Sequence, residues 1–160
     1  MLIRPATLED DDALWSLLEP VIRAGETNAL PRDMDRTAAL AYWRAPGNEV
    51  FVAEEAGQIL GTSLIRPNQM GPGAHFANAA YITARHATGR GIARRLCEHS
   101  LEAARARGFR AMQFNLVIST NAAAVHLWQS CGFAIVGTLP AAFDHPTRGP
   151  VDAYVMHRTL

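Results

Sequence analysis

The spacing of apolar positions divides the chain into short segments of two periods. Leu2 to Ala6 is a brief extended run. Thr7 then precedes Glu9, Asp10, Asp11 and Asp12, a capping hydroxyl followed by first-turn acids. Leu14, Leu17, Leu18, Val21 and Ile22 recur at helical spacing until Gly25 ends the pattern. Glu26 to Pro31 is a polar connection, Thr37 to Trp43 a second short helix, and Pro46-Gly47-Asn48 a break. Val50 to Glu54 and Ile59 to Ile65 are β-rich runs around Ala56-Gly57-Gln58, a hairpin signal. A third run, Phe76 to Ala84, follows the loop Pro67 to Gly73, whose glycines and prolines mark it as exposed.

The second half alternates the same way. Ala93, Leu96, Cys97, Ser100, Leu101 and Ala104 share one face of a helix that Gly108 closes, with Arg94 and Glu98 spaced to pair on the other. Ala111 to Ile118 reads as a strand. Asn121 caps a helix carrying Val125, Leu127 and Trp128, and Phe133 to Leu139 and Val151 to His157 read as the last strands. Between those two, Pro140 to Pro150 is predicted to be a long irregular loop. The order β-α-α-β-β-β-α-β-α-β-β predicts an α/β fold with one mixed sheet.

Composition narrows the class. A chain of 160 residues, 49% hydrophobic and 19% charged, is expected to form one ordered globular domain over 1–160. Zero net charge gives no global field to draw it to nucleic acid or a membrane. The charge is nevertheless uneven. All fifteen basic residues are arginines, and seven of them (Arg85, Arg90, Arg94, Arg95, Arg105, Arg107, Arg110) fall between 85 and 110, opposed only by Glu98 and Glu102. The stretch Ala111 to Phe143 has no ionisable acid, lysine or arginine, but its Asn, Ser, Thr and Gln residues interrupt it too often for a membrane span. It reads as buried core. The start of the chain lacks a signal-peptide pattern, two cysteines make no disulfide framework, and no metal-type Cys or His spacing occurs. A cytoplasmic location is expected.

Thr88-Gly89-Arg90-Gly91-Ile92-Ala93 joins the third β-run to the long helix. Glycines there let a ligand approach the backbone, and the helix start supplies free N–H groups and a positive dipole end. The same residues suit a tight β-to-α turn with no ligand, and the loop alone does not choose between the two. A Rossmann fingerprint would need a small residue at Arg94 and a place near the first strand, and finds neither.

Two segments together resemble a known family. Thr88 to Ala93 resembles the acetyl-CoA motif Gln/Arg-x-x-Gly-x-Gly/Ala of the GCN5-related N-acetyltransferases. Asn121, Leu127, Trp128, Gly132 and Phe133 follow that superfamily's second signature, Asn-x-x-Ala-x-x-Leu-Tyr-x-x-x-Gly-Phe. The resemblance implies a single-domain fold with a mixed central sheet splayed into a V-shaped cleft and flanked by about four helices. It implies acetyl-CoA as acetyl donor, with pantetheine along Tyr81, Ile82 and Thr83, pyrophosphate on the N–H groups of Gly89, Arg90, Gly91, Ile92, Ala93 and Arg94, and Thr88 as a side-chain contact to the cofactor. Asn121 and Trp128 would meet the cofactor from the opposite helix, and Asn121 can cap that helix at the same time.

The expected reaction is direct attack of an amine on the thioester, with a backbone N–H near Ile82 or Thr83 stabilising the oxyanion. Three positions depart from the family pattern. Thr88 replaces Gln or Arg, Trp128 replaces the tyrosine that protonates the thiolate, and Leu116 stands where some members carry a glutamate base. An indole N–H donates but is not a usable acid. Glu26, His75 and His145 are therefore the candidate bases, and Asn115 a further catalytic or acetyl contact. Glu26, Thr27, Asn28, Asn78, Asn115 and His145 are candidate acceptor contacts, from loops 25–34, 67–78 and 140–150. The expected acceptor is a small amine, an amino acid or an analogue. The alternatives are a protein or peptide N-acetyltransferase and a catalytically silent acetyl-CoA sensor. A homodimer is expected, and no nucleic-acid partner, membrane or metal.

Overall fold

The computed structural model describes all 160 residues. Strand β1 (Leu2–Pro5) leads through a 3-10 turn into helix α1 (Asp11–Ala24), and α2 (Arg36–Trp43) follows the polar connection. Then come β2 (Glu49–Glu55), β3 (Gln58–Pro67), β4 (Phe76–Thr83), α3 (Ile92–Ala106), β5 (Ala111–Ile118), α4 (Ala122–Ser130), β6 (Ala134–His145) and β7 (Gly149–Thr159). Every helix and strand anticipated from the sequence is present, in the anticipated order. Seven strands form one sheet in the order β1-β2-β3-β4-β5-β7-β6. All neighbours are antiparallel except β4 and β5.

The helices cover both faces of the sheet. Leu14, Leu18 and Ile22 of α1 and Ala39 and Trp43 of α2 bury against Val52 and Leu64. On the other face Cys97, Leu101 and Ala104 of α3 and Trp128 of α4 pack with Met112, Phe114, Phe133 and Met156. At about 1.5–3 kcal/mol for each large apolar side chain buried, these two layers supply the main driving force of the fold. A Cβ on Gly61 would lie 3.0 Å from Ile82 O, from Ile92 Cγ2 and from Leu96 Cδ1. The missing side chain lets the start of α3 sit down directly on β3 and β4.

The β4–β5 pair decides the architecture. Its parallel pairing comprises only Phe76 with Ala111 and Ala77 with Met112. Beyond that level the strands diverge, and the sheet opens into the expected V. On its other side β4 stays paired to β3 along its whole length, Gly61 to Thr83 and Pro67 to Ala77.

Pro140 to Pro150 is not the irregular loop that its prolines suggest. Residues to His145 continue β6, and Gly149 already belongs to β7, so the two strands form one long hairpin. Pro140 is tolerated because β6 is the sheet edge and needs no second donor row. A register shift between Leu139 and Phe143 absorbs the irregularity, with Ala141 at φ 49° and its N–H held by Asp152 Oδ1 at 2.9 Å. A second departure concerns Arg94. It does not pair with Glu98; its guanidinium reaches α4 and donates to Ser130 Oγ at 2.8 Å.

Candidate active site

Because β4 and β5 part, a cavity of about 860 Å³ runs between them, from the start of α3 to the α1–α2 connection. Along its β4 wall the backbone itself is available. Ala84 donates to Leu60 O and Asn68 to Phe76 O, which fixes the alternation of the antiparallel ladder. Asn78, Ala80 and Ile82 therefore bond to β3, and the N–H and C=O groups of Ala79, Tyr81 and Thr83 face the cleft without a strand partner. Of the two positions expected to supply an oxyanion donor, the N–H of Ile82 is engaged with β3 and that of Thr83 is free toward the cleft.

At one end of the cavity lies the glycine loop. Gly89 and Gly91 have φ of 82° and 77°, a conformation that side-chain-bearing residues rarely adopt. The N–H groups of Gly89, Gly91, Ile92, Ala93 and Arg94 donate to no group in the protein, and no acid occupies the first turn of α3. Five free donors on residues that line the cavity at a helix start make a cradle suited to an anion. Arg90 stands apart from it. Its N–H turns back to Ala87 O, and its side chain pairs with Glu55 of β2, outside the cavity wall. Thr88 lines the cavity with an exposed side chain, adjoining the cradle without adding a donor from its N–H, which bonds Arg85 O.

Asn121 caps α4, as expected, and also lines the cavity. Its Oδ1 accepts from Ala124 N–H as a helix cap, while its Nδ2 makes no bond in the protein and the residue lines the cavity. Trp128 packs against Tyr81 and Phe114, with ring centroids 4.8 and 5.2 Å away, and its indole N–H has no protein acceptor. Tyr81 offers only its backbone. Its hydroxyl bonds Ser100 Oγ on α3, and burial holds the phenol well above its ordinary pKa. The two cysteines are buried in the core, outside the cavity wall, and burial likewise raises the Cys97 thiol.

The other end of the cavity is walled by Thr27, Asn28, Ala29 and Leu30, by Tyr42 and Trp43 of α2, by Arg66 and Asn78, and by Asn115 and Leu116. Asn78 bridges the fork, donating through Nδ2 to Gln113 O at 2.9 Å. Its Oδ1 accepts from Arg66 Nε at 3.3 Å. Asn115 sits at a bulge between Phe114 and Val117, exposed rather than sunk among apolar neighbours. Its amide donates to Asn68 Oδ1 at 2.7 Å and accepts from Gln113 Nε2 at 2.9 Å, which ties β5 to the loop after β3.

The three candidate bases are elsewhere. Glu26 is exposed and off the cavity wall, although the adjacent Thr27 and Asn28 are on it. His75 bonds Pro72 O at 2.9 Å at the closed end of the fork. His145 ends β6 and faces Thr147, so the expected contribution of residues 140–150 to the pocket is absent. No aspartate, glutamate or histidine lines the cavity; Arg66 and Arg94 are its charged side chains. Tyr42, Trp43 and Arg66 join the wall without having stood out in the sequence. Arg66 carries a signal all the same, as the first charged residue after the apolar run Ile59 to Ile65.

A splayed sheet with an anion cradle at the mouth of the cleft defines a class. The chain matches the model of the acetyltransferase (GNAT) family over residues 13–133 and belongs to that family. It is 33% identical over 98 residues to the N-acetyltransferase aca1 of Schizosaccharomyces pombe, a match covering 61% of this chain and 47% of that protein. The chain thus aligns with about half the length of this curated relative. A GCN5-related N-acetyltransferase from Kribbella flavida superposes with a TM-score of 0.94 at 42% identity, over 99% of this chain and 97% of that one. A ribosomal-protein-alanine N-acetyltransferase from Brucella melitensis gives 0.88 at 28% identity over the whole of both chains. The fold is shared at 24% identity by yncA, a putative acetyltransferase from Salmonella typhimurium solved with acetyl-CoA, at a TM-score of 0.89, covering all of this chain and 94% of that one.

Proposed function

We propose that the protein moves an acetyl group from acetyl-CoA to the amine of a small molecule, by direct attack while both are bound. The observation that carries this reading is the cavity itself. One end presents five unpartnered N–H groups and Arg94, the other a polar pocket, and an unpaired strand edge connects them. Gly89 and Gly91 to Arg94 suit the pyrophosphate, the free edge at Tyr81 and Thr83 suits the amide-bearing pantetheine arm, and Asn121 Nδ2 provides a further donor. When bound, acetyl-CoA supplies the activated acyl group.

The protein's own contribution is placement and electrostatics. Holding donor and acceptor in one cleft can contribute about 7–11 kcal/mol in favourable geometries. The Thr83 N–H, directed into the cleft, is the donor for charge developing on the carbonyl oxygen. With no carboxylate or imidazole on the wall, the acceptor's proton leaves to water. A thiolate is a good leaving group, so the absence of a tyrosine at Trp128 does not block the reaction; the indole N–H can steady the sulfur without giving up its proton.

A second reading, acetylation of a peptide N-terminus, draws on the Brucella relative, whose name specifies a ribosomal-protein alanine. Thiol release from acetyl-CoA, measured against a panel of small amines and an alanine-initiated peptide, separates the two. Turnover of small amines supports the proposal, and turnover of the peptide alone supports the second reading. Tight acetyl-CoA binding with no turnover on any amine would make the protein a sensor. We also propose a homodimer, supported by the apolar side chains Ile135, Val136 and Leu139 exposed on the edge strand β6. Light scattering of a clean monomer would remove it.

A further inference from the structure

We infer that Arg66 selects an acceptor that carries an anionic group, a carboxylate or phosphonate, beside its amine. This rests on the acetyltransferase reading above and goes further, to the chemistry of the acceptor. Six of the fifteen arginines find carboxylate partners, and of the nine that do not, only two line the cavity. Arg4 pairs with Asp10 and Glu54, Arg23 with Glu19, Arg36 with Asp12, Arg44 with Asp11, Arg90 with Glu55 and Arg107 with Glu49. The two arginines on the cavity wall, Arg66 and Arg94, pair with no carboxylate. Arg94 adjoins the phosphate cradle, which explains its free charge. Arg66 lies at the opposite end, where no cradle accounts for it.

Arg66 is oriented but not satisfied. Its Nε donates to Asn78 Oδ1, and its guanidinium carbon lies 5.8 Å from the centroid of the Tyr42 ring. The four N–H donors on Nη1 and Nη2 have no acceptor in the protein. A half-buried guanidinium with its planar fork held on one side and open on the other is matched to a carboxylate or phosphonate, which accepts two parallel hydrogen bonds. Asn28 adds to this wall a sealed amide, Nδ2, that also lacks an acceptor.

The field of the cavity points the same way. Two positive charges and no negative one line it, so a polyamine or a bare lysine ε-ammonium meets repulsion, and an acceptor bearing its own anion does not. A guanidinium near the amine also favours the neutral, nucleophilic form.

The test uses matched acceptors: one short primary amine presented as carboxylate, as phosphonate and as uncharged carboxamide, with purified full-length wild type, Arg66→Gln and Arg66→Lys. Wild type is expected to prefer the anionic forms by about 10- to 100-fold in kcat/KM, the range of a hydrogen-bonded charge, mostly through KM. In Arg66→Gln that ratio falls toward one, and Arg66→Lys restores part of it. An acetyl-CoA-dependent rise in Tm in each variant confirms that it folds. Wild type acetylating the carboxamide as well as the anionic forms overturns the inference. So does turnover of polyamines or uncharged amines alone, which would leave the acetyltransferase reading standing. No turnover on any amine removes both.

Discussion

The side-chain amide of Asn78 donates to the main-chain carbonyl of Gln113 at 2.9 Å, one residue beyond the last parallel pairing of β4 with β5. A side chain thus takes over where the ladder stops. It satisfies a carbonyl orphaned by the divergence and, through Oδ1, orients Arg66. Replacing Asn78 with leucine keeps the volume and removes both bonds. The expected result is a loss of about 1–3 kcal/mol in a denaturant melt, with a rise in acceptor KM. Unchanged stability would mean that the fork is held by the flanking pairs alone.

Gly91 is the N-cap of α3 at φ 77°, with nothing within 4 Å of where a Cβ would stand. Its need for glycine is therefore conformational and not spatial. Gly91→Ala should destabilise by about 1–2 kcal/mol if the loop keeps its shape. If the loop relaxes instead, the cost moves to the cradle and appears as weaker acetyl-CoA binding by calorimetry. Either response supports the account, and an alanine variant unchanged in both properties contradicts it.

The rate should follow the acceptor's own proton. Because no acid or imidazole lines the cavity, kcat/KM is expected to rise with pH around the pKa of the amine offered. A less basic amine should shift the profile to lower pH by its own pKa difference. Glu26→Gln, His75→Ala and His145→Ala should leave the profile where it was. A fixed midpoint that one of these substitutions abolishes would identify a base acting from outside the wall.

Stability has a separate pH dependence near the chain start. The Asp10 carboxyl is drawn down from an ordinary 3.8 to about 2, chiefly by hydrogen bonds from Arg4, with burial opposing and the Thr7 N–H assisting. A lowered carboxyl stabilises the fold above its unfolded pKa, and the benefit is lost as pH falls through about 2. Asp10→Asn should therefore cost about 1–2 kcal/mol at neutral pH, allowing for solvent screening at Arg4. The gap between variant and wild type should close on acidification from about pH 4 to 2. A pH-independent gap would assign the effect to packing.

Much of the fold is legible in the order of residues alone. The helix and strand periods locate all eleven elements, and Gly89, Gly91 and Asn121 stand out because glycine conformations and helix caps are local properties. The long β6–β7 hairpin is not legible. Pro140 and Pro150 read as breakers, and only the edge position of β6 makes a proline there harmless. Helix spacing alone assigns Arg94 to Glu98, but α4 brings Ser130 within reach. The acceptor end depends on contacts across long sequence separations: Asn68 with Asn115, Asn78 with Gln113, and Arg66 with Asn78 and Tyr42. No local pattern encodes those, and so Glu26, His75 and His145, all off the cavity wall, stand in for residues that only the fold can place.

In the proposed mechanism one cleft holds donor and acceptor together and the acetyl group passes directly between them, with both cysteines off the path. Initial rates measured over a grid of acetyl-CoA and acceptor concentrations test this most directly. Intersecting double-reciprocal lines, with no acetylated protein after incubation with acetyl-CoA alone, are the predicted result. Parallel lines, with acetyl recovered on Cys131 by mass spectrometry, would contradict it.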